Sequence, residues 1–211
     1  MNMISGLIGI GTVAALGTII ADYRGRWRVV YILKPAAMAA IISAALLKPA
    51  FQSPRYRYCI LAGLALSLAG DIFLMLRKKR FVEGLAAFLF AHLFYIAAFL
   101  NVTTVRADFG TVFPLFLYAL IMMTVLFPTL GRMKIPVAVY IFVVTIMAGL
   151  AIQRFVDIGG TSALRAFLGA LLFVVSDSAL AVNRFVKKFS AAQAVILSTY
   201  FAAQWLLALS I

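Results

Sequence analysis

Eight apolar runs, at positions 3–20, 28–47, 57–76, 81–100, 111–128, 135–152, 162–182 and 189–209, take up nearly the whole of this 211-residue chain. Each is close to the ~20 residues an α-helix needs to cross the hydrocarbon of a bilayer. A mean hydropathy of +1.10 with 12% charged residues lies far from the average of soluble domains. The connections are short, and no Gly/Ser/Pro-rich linker or low-complexity stretch separates a second unit. The expectation is an all-α protein, with residues 1–211 forming a single transmembrane domain of eight helices in one bundle. Met3 to Ile20 lacks a basic leader and a small-residue cleavage site, so it reads as a retained helix.

The net charge of +13 would suit nucleic acid, but the basic residues lie between the apolar runs and form no stripe interleaved with aromatics, so no nucleic-acid partner is expected. Arg24, Arg26, Arg28, Lys34, Arg77, Lys78, Lys79, Arg80, Arg132, Lys134, Arg184, Lys187 and Lys188 lie in or beside the odd connections. Lys48, Arg55, Arg57, Arg106, Arg154 and Arg165 belong to the even ones. A split of 13 against 6 puts the odd connections in the cytoplasm and both termini outside, in an inner (plasma) membrane of bacterial type. The cluster Arg77 to Arg80 is the strongest anchor and is also suited to holding anionic headgroups of membrane lipids.

Inside the apolar runs stand two isolated acids, Asp71 and Asp177. A charge in hydrocarbon is costly, so such a residue is retained where it faces a packed interior or a wet cavity. Asp71 lies six residues before Arg77 and Asp177 seven before Arg184, which at ~1.5 Å per residue puts both roughly 9–11 Å from the cytoplasmic side. Lys34 and Tyr140, each six residues past a basic anchor, fall at the same level, while His92 and Tyr200 sit deeper. Ser67 shares a helix face with Asp71. These depths point to one cavity open toward the cytoplasmic side. The sequences that follow the two acids are alike enough to suggest a parallel repeat of two four-helix halves with pseudo-symmetric aspartates.

Three blocks of the sequence carry a family resemblance. Ser67 to Met75 with Phe81 to Ile96, including His92 and Tyr95, resembles the signature of the YhhN-type lysoplasmalogenase family. Leu168 to Leu180, including Ser176 and Asp177, is similar to that family's other strong motif, and Lys34-Pro35, Tyr140, Tyr200 and Gln204 fit its pattern. The resemblance covers nearly the whole chain. It implies an eight-helix membrane hydrolase that cleaves the vinyl ether bond of lysoplasmalogen, or of a related lysophospholipid, to a fatty aldehyde and a glycerophospho-headgroup alcohol.

That chemistry can be set against the residues. Protonation of the enol ether β carbon gives an oxocarbenium ion, water captures it as a hemiacetal, and collapse releases aldehyde and alcohol. A proton donor and a stabilising anion are needed, which two carboxyl groups in different surroundings supply. Removal from water favours the neutral acid, and a nearby cation favours the carboxylate. We expect Asp71 to donate the proton and Asp177 to be the ionised partner that orients water, with the reverse assignment open. His92 would relay protons or position water. Lys34 would meet a phosphate. Tyr95, Tyr140 and Tyr200 would offer faces to a headgroup cation, and Ser67, Ser176 and Gln204 would complete the substrate-binding set.

Each residue also has an ordinary reading: a buried ion pair for the acids, a cross-helix hydrogen bond for His92, snorkelling for Lys34, packing for the serines, a helix-dipole partner for Glu83. Cys59 reads as packing, and one cysteine with one histidine falls short of a structural zinc set, so neither metal nor cofactor is expected. No G-x-S-x-G elbow, P-loop or dinucleotide fingerprint is present. The competing function is a small transporter whose acids form a proton or cation path. Such a path must continue to the far leaflet, where Gln204 and Ser43 are the main polar candidates.

Overall fold

The computed structural model describes residues 3–49, 53–76, 80–105 and 109–211. Eight helices form in the expected order: α1 (Met3–Tyr23), α2 (Trp27–Leu47), α3 (Pro54–Met75), α4 (Phe81–Leu100), α5 (Phe109–Leu126), α6 (Lys134–Ile158), α7 (Gly160–Ala181) and α8 (Ala192–Leu209). All eight are long and apolar enough to cross a membrane. Arg77, Lys78, Lys79 and Arg106 of the charge count lie outside the described residues.

Local chemistry sets the helix ends. The Ser53 hydroxyl caps α3 by accepting from the Tyr56 N–H at 3.1 Å, and Pro54 follows at the first helical position, where its missing N–H is harmless. Gly159 and Gly160, at φ 64° and 75°, make the corner between α6 and α7 in a region a side chain disfavours. A π-helical turn, Val182–Val186, ends α7. Pro35 inside α2 has no N–H, which leaves the Tyr31 carbonyl without its helical donor, while the Tyr31 hydroxyl donates to the Met75 carbonyl at the end of α3.

Without a hydrophobic drive between helices in lipid, close packing depends on small residues. At Gly63 an added Cβ would lie 2.3 Å from the Tyr95 ring, and at Gly70 it would lie 2.7 Å from the Phe88 ring, so both glycines let α3 and α4 meet. Gly169 does the same for α7 against α8, with the Ala203 carbonyl 3.1 Å from its virtual Cβ. Helix α1 lies along α2 and α8, where Gly11 faces the Trp205 ring. Helix α5 is the peripheral one: it packs along α6 and the π turn and has no comparable seam with α4. Only its Met122 and Leu126 are buried.

One charge expected beyond a helix end is in fact well inside a helix: Arg154 lies in α6, which runs six residues past the expected end. Arg154 is fully buried, donates to the Tyr56 hydroxyl and to Ser162 Oγ at 2.8 Å each, and stacks on the Tyr56 ring. The Tyr56 hydroxyl also meets Ser210 Oγ at 2.6 Å, so α3, α6, α7 and the end of α8 are tied at the non-cytoplasmic end proposed from charge. There Lys48 and Arg165 both donate to the Leu209 carbonyl. Burial and, secondarily, the Arg165 charge pull the Lys48 ammonium down to about 8.

Candidate active site

The two acids lie on α3 and α7, and each is met by side chains from two other helices. Asp71 of α3 accepts from Lys34 Nζ of α2 at 2.8 Å and from the Tyr200 hydroxyl of α8 at 2.6 Å. Lys34 Nζ also lies 5.7 Å from the Tyr200 ring centre. Asp177 of α7 accepts from the Tyr140 hydroxyl of α6 at 2.7 Å, and His92 Nε2 of α4 approaches the same Oδ2 at 3.5 Å. Lys34 and Tyr140 were expected at the level of the acids, whereas Tyr200 and His92, expected deeper, reach them as well. Which partner joins which acid was not legible.

Hydrogen bonds extend both sites. Tyr95 donates to Gln204 Oε1 at 2.8 Å, one helical turn beyond Tyr200, and Ser67 is buried beside it. These residues belong with Asp71. His92 Nδ1 lies 2.6 Å from the Phe88 carbonyl, which can only accept, so Nδ1 carries a proton and Nε2 faces Asp177. When His92 is neutral, its Nε2 presents a lone pair to that carboxyl group. Ser176 is turned elsewhere: it is buried, and its hydroxyl donates to the Ile196 carbonyl across the α7–α8 seam at 3.0 Å. That bond joins α7 to α8, the kind of contact the ordinary reading of the serines describes.

An aromatic partition stands between the two acids. Phe88 packs edge-on against both Tyr200 and Phe173, and Phe173 packs edge-on against His92 at 4.6 Å. On the Asp177 side of this partition lies a narrow cavity of about 40 Å³ between α4, α5, α6 and α7, walled by Leu85, Phe88, Met122, Ile141, Val144 and Leu180. Asp177, Tyr140, Ser178 and Tyr118 provide its polar end. Asp71 is not among the lining residues. The Asp177 side chain is 12% exposed and that of Asp71 2%, in keeping with this arrangement.

Two cavity residues were not picked out as site residues from the sequence. The Tyr118 hydroxyl donates to Ser178 Oγ at 2.9 Å, and Ser178 passes its own proton to the Val174 carbonyl at 2.6 Å. Tyr118 carries no sequence signal beyond being a tyrosine within a lipid-facing helix. Among the described residues no three His, Cys, Asp or Glu side chains gather. Chemically, then, the open site offers a carboxyl group and two phenols at the end of an apolar cleft, with the imidazole of His92 buried behind the carboxyl group.

Comparison with known proteins fits this picture. Residues 29–211 match the YhhN family. The chain is 26% identical over 191 residues to the uncharacterized membrane protein YhhN of Escherichia coli, covering 90% of this chain and 91% of that one. It is 35% identical over 162 residues to human lysoplasmalogenase TMEM86A, covering 72% of this chain and 64% of that protein. Against human lysoplasmalogenase TMEM86B the figures are 33% over 161 residues, 74% and 64%. No solved structure matches. With its eight helices and a family match over all but the first of them, this integral membrane protein belongs to the YhhN family.

Proposed function

We propose that this protein is a membrane hydrolase of single-chain ether lipids, cleaving the vinyl ether bond of lysoplasmalogen or a related lysolipid, with Asp177 as the acid. The observation that carries the reading is the cavity: a narrow apolar cleft, which a chain would widen by parting its side chains, ends at a carboxyl group that shares its Oδ2 with Tyr140 and His92. The lysoplasmalogenase relatives supply the substrate class. A general acid must first be within reach of the atom it protonates, and only Asp177 of the two acids borders the chamber. The proton donor proposed is therefore the reverse of the sequence expectation. Lys34, expected at a phosphate, instead holds Asp71 as its carboxylate partner.

In this mechanism the Asp177 O–H breaks as a C–H bond forms at the β carbon of the enol ether. The resulting carboxylate faces the oxocarbenium ion, an electrostatic role that a preorganised group performs best in a dry site. Water adds to the cation and gives its proton to Asp177 or His92. Hemiacetal collapse breaks the C–O bond as that group hands the proton taken from water to the departing glycerol oxygen, and the hemiacetal hydroxyl proton goes to Asp177, which restores the acid. The sum is substrate plus water to aldehyde plus alcohol. Asp71, Lys34 and Tyr200 are positioning residues that fix α2, α3 and α8 around the partition.

The parallel repeat belongs to this proposal. Lys34 and Tyr140, Gly63 and Gly169, and Asp71 and Asp177 are each separated by 106 residues. Each acid is met by the second helix of its own half and the fourth helix of the other. With the odd connections in the cytoplasm, the chamber lies in that leaflet. The transport reading fares worse. On α3, α4 and α8, the positions between the Tyr95–Gln204 pair and the Tyr56–Arg154 cluster are held by Ile60, Leu64, Phe99 and Leu207, all fully buried, so polar groups do not continue across. The test is aldehyde release by purified protein from lysoplasmalogen, with the acyl lysophospholipid of the same headgroup as control. Selective aldehyde release is expected, and turnover of neither lipid by folded protein would refute the assignment.

A further inference from the structure

We propose that Arg184 binds the phosphate of the substrate headgroup at the mouth of the Asp177 chamber, so that the ligand class is a single-chain lipid with a phosphodiester. This rests on reading the chamber as the chain site. With Lys34 committed to Asp71 at 2.8 Å, a phosphate needs another cation. Phe81 and Phe185 line the cytoplasmic end of the chamber and pack edge to face at 5.7 Å. Arg184 sits over this pair, its guanidinium 4.6 Å from the Phe81 ring centre, and it has no acidic partner among the described residues. It is exposed, and with Phe185 it belongs to the π turn that ends α7, the kind of irregularity that recurs at functional sites.

The spacing suits the substrate. Arg184 follows Asp177 by seven residues, about 10 Å along the helix, and helical side chains lean back toward the N-terminus, here toward Asp177. The glycerol unit that joins a vinyl ether to a phosphate spans the remaining gap once the arginine side chain reaches inward. A guanidinium matches two phosphate oxygens at once, a stronger partner than an aromatic face. Binding of a headgroup would thus draw Arg184 off Phe81 and free the Phe81–Phe185 pair to part around the chain.

The experiment is equilibrium binding of two non-hydrolysable probes, an alkyl-ether lysophosphatidylethanolamine and the matching alkylglycerol that lacks phosphate, to wild type, Arg184→Gln and Arg184→Lys. Wild type is expected to prefer the phospholipid probe, Arg184→Gln to lose about tenfold of that preference, and Arg184→Lys to restore part of it. An unchanged preference in Arg184→Gln, or none in wild type, would overturn the proposal. Inorganic phosphate that competes as well as the lipid would assign the site to a free anion and overturn the lipid class. Because binding is read without turnover, a wild type that binds the probe yet releases no aldehyde would refute the hydrolase reading and leave the Arg184 result standing.

Discussion

Asp71 faces a lysine at 2.8 Å with its side chain 2% exposed, whereas Asp177 faces a tyrosine and a histidine, is 12% exposed and borders a cavity. The two residues occupy corresponding helices of the proposed halves, and the outermost helix of each half makes the difference. Helix α1 lies along both α2 and α8, the two helices that supply Lys34 and Tyr200, with Gly11 against Trp205 and Gly17 against Leu33. Helix α5 lies along α6 without a matching seam on α4, and the chamber occupies the space so left. One arrangement, sealed on one side and open on the other, thus gives a buried ion pair and, in the function proposed, the reactive acid.

The largest expected effect follows from that contrast. Asp177→Asn should fold and should lower kcat for aldehyde release by about 10²–10⁴-fold, the usual contribution of a general acid. Asp71→Asn should instead act on stability. It leaves Lys34 without its carboxylate, and breaking a buried ion pair costs about 3–5 kcal/mol, to be read as a lowered midpoint of thermal unfolding in detergent. Replacing both members, Lys34→Met with Asp71→Leu, should recover most of that loss, since an apolar pair of similar volume removes the uncompensated charge. If the single and double variants are equally unstable, the ion-pair account of the sealed site fails.

Tyr140→Phe sharpens the comparison from the open side. It removes the hydroxyl that donates to Asp177 at 2.7 Å and should lower kcat by about tenfold, equivalent to ~1.4 kcal/mol. The smallest effect lies at the opposite end of the bundle. Lys48 is pulled from 10.5 to about 8 by burial first and Arg165 second. A lowered lysine value means the fold disfavours the charged form, fully so below pH ~8 and progressively less above it, because there the unfolded chain binds more protons. Stability should therefore rise slightly between pH 7.5 and 9.5 in wild type. In Lys48→Gln this rise should be smaller, as unfolding midpoints across that range would show.

The eight helices were legible because hydrocarbon demands long apolar runs, and the two acids were legible because nothing in such a run hides a carboxylate. Helix ends were less so. Arg154 reads as a loop charge by its place beside a polar stretch, yet it is buried and bonded to Tyr56 and Ser162 inside α6. The pairing of Lys34 with Asp71, and of His92 with Asp177, depends on how separate helices cross, which periodicity along one helix does not encode. Phe88 and Phe173 look like any core aromatics, so the partition that separates the acids left no mark in the sequence. The π turn and the Tyr118–Ser178 bond are hidden for the same reason.

The most direct measurement is steady-state aldehyde release from lysoplasmalogen by two folded variants side by side, Asp177→Asn and the Lys34→Met/Asp71→Leu pair. The account predicts that the pair keeps at least about a tenth of wild-type kcat while Asp177→Asn falls by about 10²-fold or more. An active Asp177→Asn beside an inactive but folded pair would place the acid at the sealed site and contradict it.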